Sequence, residues 1–208
     1  MRMAGPSSRS SVTASLPGRS SLTAGADELT CDAVATEAER CAHFRIRQQV
    51  FVIEQGLFGG PGGADAGGAD SAGADGAGAD GGKASGGGAS GDADAHDDDP
   101  ATIHVIGRAG PAICGTVRLY PLEEPGRWKG DRLAVLADYR HLGLGAPLVR
   151  FAVRTAGRLG GQEMEAFIQP ANVAFFRWLG WHPDGGLVDY AGIPHQRMLI
   201  GLTGQDES

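Results

Sequence analysis

The stretch Asp131 to Arg154, DRLAVLADYRHLGLGAPLVRFAVR, reads as a strand, a tight glycine-containing turn and a helix. Leu133, Ala134, Val135 and Leu136 form an apolar run of strand length, and Leu148, Val149, Ala152 and Val153 recur at helical spacing after Gly145. Between them lies Arg140-His141-Leu142-Gly143-Leu144-Gly145. Glycines at 143 and 145 let backbone come close to a ligand, and the start of the following helix turns unpaired N–H groups the same way. Such a terminus suits phosphate. A lone G-x-G at a strand–helix junction is equally the mark of an ordinary turn. A dinucleotide-binding reading is disfavoured, because Leu148 stands where the third glycine is needed and no acidic strand end follows about 20 residues on.

Working outward, composition bounds the fold. The chain has 208 residues, room for one domain, and 35 of them are glycine. The segment from 59 to 100 is nearly all Gly, Ala, Asp and Ser, with Ala-Asp pairs recurring from 64 to 80. It lacks the apolar side chains needed to offset its ordering entropy and is expected to be a disordered insert. Its nine aspartates against one lysine account for the whole net charge of −7, so the remainder is close to neutral. Neither a nucleic-acid surface nor a polybasic membrane face is indicated. The cluster His96-Asp97-Asp98-Asp99 reads as a solvated acidic tail of the insert rather than a cation site.

Cys31, Cys41 and Cys114 are odd in number and unrelated in spacing, which implies neither a disulfide framework nor a zinc site and fits a reducing cytoplasm. Residues 1–30 are Ser-rich without an apolar run and are expected to be a tail with no signal-peptide core or membrane span. The domain is thus expected over 31–58 and 101–204.

Within it, Glu37 to Gln55 reads as a helix whose Val50-Phe51-Val52-Ile53 end turns extended, 102–108 and 113–120 as a hairpin, and 131–136 as a fourth strand. A helix over 144–158, a fifth strand over 163–169, a helix over 171–179 stopped by Gly180 and a last strand over 195–202 complete the alternation. The fold class is α/β (α+β), a mixed sheet with helices on both faces.

Arg140, Gly143 and Gly145, in the order [RQ]-x-x-G-x-[GA] after the L-A-V strand, resemble the acetyl-CoA signature of the GNAT N-acetyltransferase superfamily. Phe175-Phe176-Arg177-Trp178-Leu179-Gly180-Trp181 is similar to that family's F-Y-x-x-L-G-F segment. The strings R-x-x-V-F-V-x-E-Q-G-L-F, in the first helix, and G-I-P-H-x-x-M, from Gly192 to Met198, resemble a branch that includes the ElaA-like proteins and acetyltransferases of nitrogen-starvation gene clusters.

The resemblance implies a single GNAT-like domain whose sheet splays between strands four and five, with acetyl-CoA as co-substrate in the gap. Leu133, Ala134 and Val135 would face the pantetheine arm, with an N–H near Val135 as oxyanion donor. His141, Leu142, Gly143, Leu144, Gly145 and Ala146 would offer N–H groups to the pyrophosphate, and Gln169 and Asn172 would contact the cofactor. Arg140 either joins them or is a surface charge. The family's usual acid, a tyrosine, is Phe176 here, which has no proton to give, and Glu165 is one residue out of register for a strand-five base.

Catalytic candidates are therefore His195, Glu54, Arg118 and Tyr190, with His182 weaker. His195 is an acid–base group or a structural histidine, and Glu54 and Arg118 are catalytic or a partly buried ion pair. The implied activity is N-acetyl transfer to a small amine. The alternative is an acyl-CoA-binding sensor or partner subunit without turnover. A second copy of the chain, or another enzyme of the same pathway, is the candidate protein partner.

Overall fold

The computed structural model describes residues 28–57, 92–190 and 192–202. It contains one seven-stranded sheet in the order β1-β2-β3-β4-β5-β7-β6. β1 (Leu29–Ala33) lies antiparallel to β2 (Ile103–Ala109), and β2 to β3 (Ala112–Pro121). Of the tail expected over 1–30, Leu29 and Thr30 instead pair with Ala109 and Arg108, and residues 1–27 lie outside the described residues.

α1 (Glu37–Arg47) begins at a capping box, in which Thr36 accepts from the Glu39 amide while the Glu39 carboxylate accepts from the Thr36 amide. The chain beyond it does not become extended, as the β-branched run suggested, but widens into a π-helical segment, Gln48–Glu54. There the Gln55 amide donates to Val50 and the Leu57 amide to Phe51, so backbone groups beside the core stay satisfied. Val50 packs with Ile46 and Ala134, while the widened turns bring Phe51 and Gln55 round to the concave side of the sheet.

β4 (Arg127–Val135) pairs antiparallel with β3 but is interrupted. Arg118 lies opposite Asp131 and Thr116 opposite Ala134, so one residue of β3 faces two of β4. Arg132, in this bulge, has φ +52°, a conformation that costs an L residue about 1–3 kcal/mol and persists only where its surroundings impose it. β4 then runs parallel to β5 (Glu163–Ile168) through three residue pairs only, the last being Lys129 with Glu165. Beyond that point the strands part, as expected for strands four and five.

α2 (Gly145–Arg158) buries Leu148, Val149, Ala152, Val153 and Ala156 against the sheet, the face its spacing predicts. α3 (Val173–Trp178) follows a short 3₁₀ turn, Pro170–Asn172, and ends before Gly180 at φ +91°. β6 (His182–Tyr190) and β7 (Ile193–Gly201) close the sheet, β7 running antiparallel to both β5 and β6. β6 was not foreseen. It contains Pro183, Gly185 and Gly186, which it absorbs in a register shift between Pro183 and Leu187.

The largest departure from expectation is at the C-terminal end of the insert. Residues 92–100 pack as part of the domain, around a 3₁₀ turn at Ala95–Asp98, with Asp92 and Asp97 only 1% and 4% exposed. The remainder of the expected insert, 59–91, lies outside the described residues.

Asp97 accepts from Arg47 at 2.5 and 3.0 Å and from Arg118 at 2.7 Å, and Asp92 accepts from Arg47 at 2.6 Å. Asp94 accepts from Arg118 and from Arg132, the latter at 2.7 Å. The acidic run is thus a buried counter-charge that braces α1, β3 and the β4 bulge. Composition hid this because the arginines it neutralises are 21 to 50 residues distant in sequence.

This cluster gives the fold a defined acid response. Burial alone would raise the Asp97 carboxyl, but hydrogen bonds and charge from Arg47 and Arg118 hold it well below its usual range. Asp94 and Asp131 are lowered in the same way, by arginines that outweigh burial. His43 moves downward too, to about 3, because burial and the neighbouring Arg47 charge disfavour imidazolium.

Each of these groups binds its proton more readily in the unfolded chain, so each contribution is present at neutral pH and fades on acidification. Stability should decline gently below pH ~6.5, by at most about 1.4 kcal/mol per unit for His43, and steeply below pH ~4 as the aspartates are protonated in the unfolded state. Urea midpoints at pH 7.5, 5.5 and 3.5 measure it. A midpoint that does not move between 7.5 and 3.5 contradicts the assignment.

Candidate functional site

Where β4 and β5 part, a cleft with an empty volume of about 1040 Å³, open to solvent at its mouth, enters the concave side of the sheet. Its walls come from the π-helical segment (Phe51, Gln55), from β4 (Lys129 to Leu133), from α2 (Val149, Ala152) and from β5 (Ala166 to Ile168). Phe176, Trp181, Tyr190 and His195 complete it. The buried indole N–H of Trp181 has no hydrogen-bond partner among the described residues, leaving one donor beside a mainly apolar groove. A mainly apolar groove with such a donor on its wall fits a pantetheine arm, which is largely methylene with two amides.

Of the residues expected to hold cofactor, Leu133, Gln169 and Asn172 line the cleft. Gln169 Nε2 also donates to Gln55 Oε1 at 3.4 Å, linking the two sides of the opening. Ala134 is 3% exposed and packs its side chain on Ile46 and Val50, away from the cleft. Val135 contributes backbone. The Leu136 amide donates across to Cys114 on β3, so strand alternation turns the Val135 peptide groups the other way, toward the gap.

The turn lies about 6 Å, one helical turn, before Val149. Gly143 has φ +76° and ends a 3₁₀ turn over Ala137–Leu142, which contains Arg140, His141 and Leu142. A Cβ added at Gly143 would meet nothing within 4 Å, so that flank is open. The Gly143 amide donates to Arg140 and that of Ala146 to Gly143, whereas Leu144 and Gly145 keep theirs free of backbone partners among the described residues. The free donors are thus fewer than the span 141 to 146 suggested. The Leu144 side chain is fully buried against Gly107 and Gly115, so only its backbone faces the turn, and Ala146 is also buried.

Arg140 and Glu54 answer two open readings at once. Their side chains pair with each other through two hydrogen bonds of 2.6 and 2.7 Å, while Arg140 Nε donates to the Val135 carbonyl at 2.9 Å. Glu54 is therefore partnered with Arg140, not with Arg118, and together they tie the π-helical segment to the end of β4. Arg118 is fully buried, held by Asp94, Asp97 and Asp131, and does not line the cleft. Both side chains are thus found in ion pairs that brace the fold, the second of the two readings their sequence positions allowed. Glu165 is likewise engaged, by Arg197 at 2.7 Å and Arg127 at 3.4 Å.

His195 and Tyr190 remain, and both line the cleft. β6 and β7 set them side by side, with ring centroids 5.3 Å apart at 71°. His195 is 7% exposed, and its Nδ1–H donates to the Ile193 carbonyl at 2.8 Å, which leaves Nε2 as the ring nitrogen able to take a proton. Tyr190 stacks on Phe167 with 5.4 Å between centroids, and Lys129 Nζ lies 5.1 and 5.6 Å from these two rings. Lys129 was not singled out from the sequence, where a lone lysine in a short strand carries no signal. His182 is exposed and is not among the cleft residues.

The family model of the acetyltransferase (GNAT) family matches residues 85–181. Among solved structures, a putative N-acetyltransferase from Lactobacillus plantarum superposes with a TM-score of 0.62 at 21% identity, covering 85% of this chain and 99% of that one. An acyl-CoA N-acyltransferase from Pseudomonas aeruginosa gives 0.59 at 21% identity, with 83% and 98% covered. ElaA from Escherichia coli gives 0.60 at 16% identity, with 83% and 99% covered. No curated protein sequence matches significantly.

The splayed mixed sheet has the fold of a single GNAT-like α/β domain, and the acetyltransferase (GNAT) family model matches its middle part, residues 85–181. Among the described residues no helix is long and apolar enough to cross a membrane, and no group of His, Cys, Asp or Glu is arranged to hold a metal ion.

Proposed function

We propose that the protein transfers an acetyl group from acetyl-CoA to the amine of a small acceptor, with His195 as the proton-handling residue. The observation that carries this reading is the cleft between β4 and β5, lined by buried His195, whose Nδ1–H bonds the Ile193 carbonyl, and by Val149 of α2, the helix that the open glycine turn precedes.

The turn offers the amides of Leu144 and Gly145 and the positive end of α2 to the pyrophosphate. The pantetheine follows Leu133 and Val135 down the gap, with Gln169, Asn172 and the Trp181 indole as polar contacts. A peptide N–H at Val135 is the donor for the developing oxyanion, where charge forms away from bulk water. An amine must be neutral to attack, and His195 Nε2 would accept the proton it sheds. Phe176, 5% exposed on the cleft wall, cannot return one to the departing thiolate, which leaves Tyr190, an ordered water or His195 itself.

The strings around Glu54 and His195 support placing the chain in the branch that holds the ElaA-like and nitrogen-starvation acetyltransferases. A cytoplasmic setting, and a second copy or pathway enzyme as partner, belong to the same proposal.

The test is thiol release from acetyl-CoA against a panel of small amines, with CoA affinity by calorimetry on wild type and on Gly143→Val. A β-branched residue at φ +76° costs about 1–3 kcal/mol of strain and crowds the phosphate, so affinity should fall about tenfold or more. Gly143→Asn, whose side chain tolerates that conformation, should fall less. Unchanged affinity in Gly143→Val removes the turn from the reading. CoA binding without thiol release on any amine would instead favour the sensor.

A further inference from the structure

Lys129 is the last residue of β4 paired with β5, and its side chain enters the cleft where the two strands part. Its ammonium lies over Phe167 and Tyr190, contacts that position the charge without neutralising it. Two carboxylates face it from neighbouring positions, and both are already committed. Asp131 is held through both oxygens by Arg118 at 2.8 and 2.6 Å, and Glu165 is shared between Arg197 and Arg127. No carboxylate of the described residues lies within 4.0 Å of Lys129 Nζ. The domain has thus placed a cation in a largely apolar cleft while its neighbouring arginines are all matched to acids, an arrangement that favours an incoming anion.

That anion is not the cofactor's. The pyrophosphate site lies beyond Val135, about 20 Å along β4 from Lys129, whereas His195 and Tyr190 are at the same end as Lys129. Nor does a phosphate monoester fit, because it carries close to two charges and would need a second cation. Arg118, Arg127 and Arg197 have none to spare.

We infer that Lys129 reads a carboxylate on the acceptor, so that the substrate is an amine bearing a carboxyl group a few bonds away, as in an α-amino acid. The inference rests on the acyltransferase reading for naming the ligand an acceptor. In this arrangement the carboxylate pairs with Lys129 and swings the amine toward His195, while Phe167 and Tyr190 border the substituent. Lys129 is a specificity-determining residue here, touching substrate but moving no proton.

The experiment is a binding comparison that needs no turnover. N-acetyl-L-alanine, N-acetyl-L-leucine and N-acetyl-L-phenylalanine are titrated calorimetrically into CoA-loaded protein, each against its C-terminal amide. In wild type at least one acid should bind tenfold or more tighter than its amide, and in Lys129→Gln that ratio should fall to within about twofold of one, with CoA affinity unchanged. In the amine assay, KM for a carboxylate-bearing amine should rise tenfold or more with kcat little altered.

Equal affinities for acid and amide in wild type, no binding of any acid, or a discrimination that survives in Lys129→Gln would each overturn the inference. If CoA fails to bind at all, the acyltransferase reading falls by that result, and the acid–amide comparison on the free protein still decides the role of Lys129.

Discussion

Replacing Asp97 with alanine should destabilise the domain by about 3–5 kcal/mol, the cost of breaking a buried ion network by removing one of its members. Asp97 is the hub of the ion cluster. Its side chain is 4% exposed and takes hydrogen bonds from Arg47, from Arg118 and from the Asp94 amide that opens its own turn. Removing it takes one carboxylate partner from each of two fully buried guanidinium groups, leaving Arg47 with Asp92 and Arg118 with Asp94 and Asp131, in a region that also holds Arg132 in its left-handed conformation.

Asp97→Asn keeps the shape but not the charge and should recover only part of the loss. Asp98→Ala is the control, because that side chain is 90% exposed and pairs only with the half-exposed Arg40, so its effect should stay below ~1 kcal/mol. Urea unfolding of the four proteins is the measurement. Similar midpoints for Asp97→Ala and Asp98→Ala would return the run to the solvated tail its composition suggests.

The same cluster sets where the insert can be cut. Exchanging residues 59–91 for a short Gly-Ser connection should leave the melting midpoint nearly unchanged, because closure entropy depends weakly on loop length. Extending the deletion through 100 removes Asp92, Asp94 and Asp97 together and should abolish folding. The boundary between those outcomes is a physical one: it falls where the aspartates begin to meet arginines, at Asp92.

What could be read in advance follows the range of each signal. The α2 stripe, the β2–β3 hairpin and the glycine turn are local patterns, and they appear within a residue or two of where periodicity put them. The parting of β4 from β5 was legible only through resemblance, because no local feature of 127–135 says with which residue its pairing ends.

Long-range electrostatics was not legible at all. Glu54 and Arg118 looked alike as polar residues within apolar runs. Their partners, Arg140 for one and Asp94, Asp97 and Asp131 for the other, are fixed by the tertiary fold. Lys129 was passed over for the same reason: its meaning comes from two carboxylates that are already occupied and two rings supplied by β5 and β6.

His195→Gln should lower kcat about a hundredfold or more, the usual contribution of a positioned acid–base group, while CoA affinity stays within about twofold. The structure sharpens the reason. With Glu54 and Arg118 tied into ion pairs and Phe176 inert, His195 is a cleft residue of a type suited to proton transfer, with one ring nitrogen bonded to the Ile193 carbonyl and the other not. Glutamine fills a similar volume and can still bond the Ile193 carbonyl through its amide, so the local fold should survive while proton transfer does not. The pH–rate profile of wild type should carry a limb that is absent in the variant. Tyr190→Phe serves as the companion, because it keeps the stacking on Phe167 and removes only the hydroxyl. If that change costs a further tenfold only when His195 is present, the two act in one proton path. Turnover and pH dependence like those of wild type in His195→Gln would return the histidine to the structural role its Ile193 hydrogen bond already provides, and would leave Tyr190 or a bound water to carry the proton.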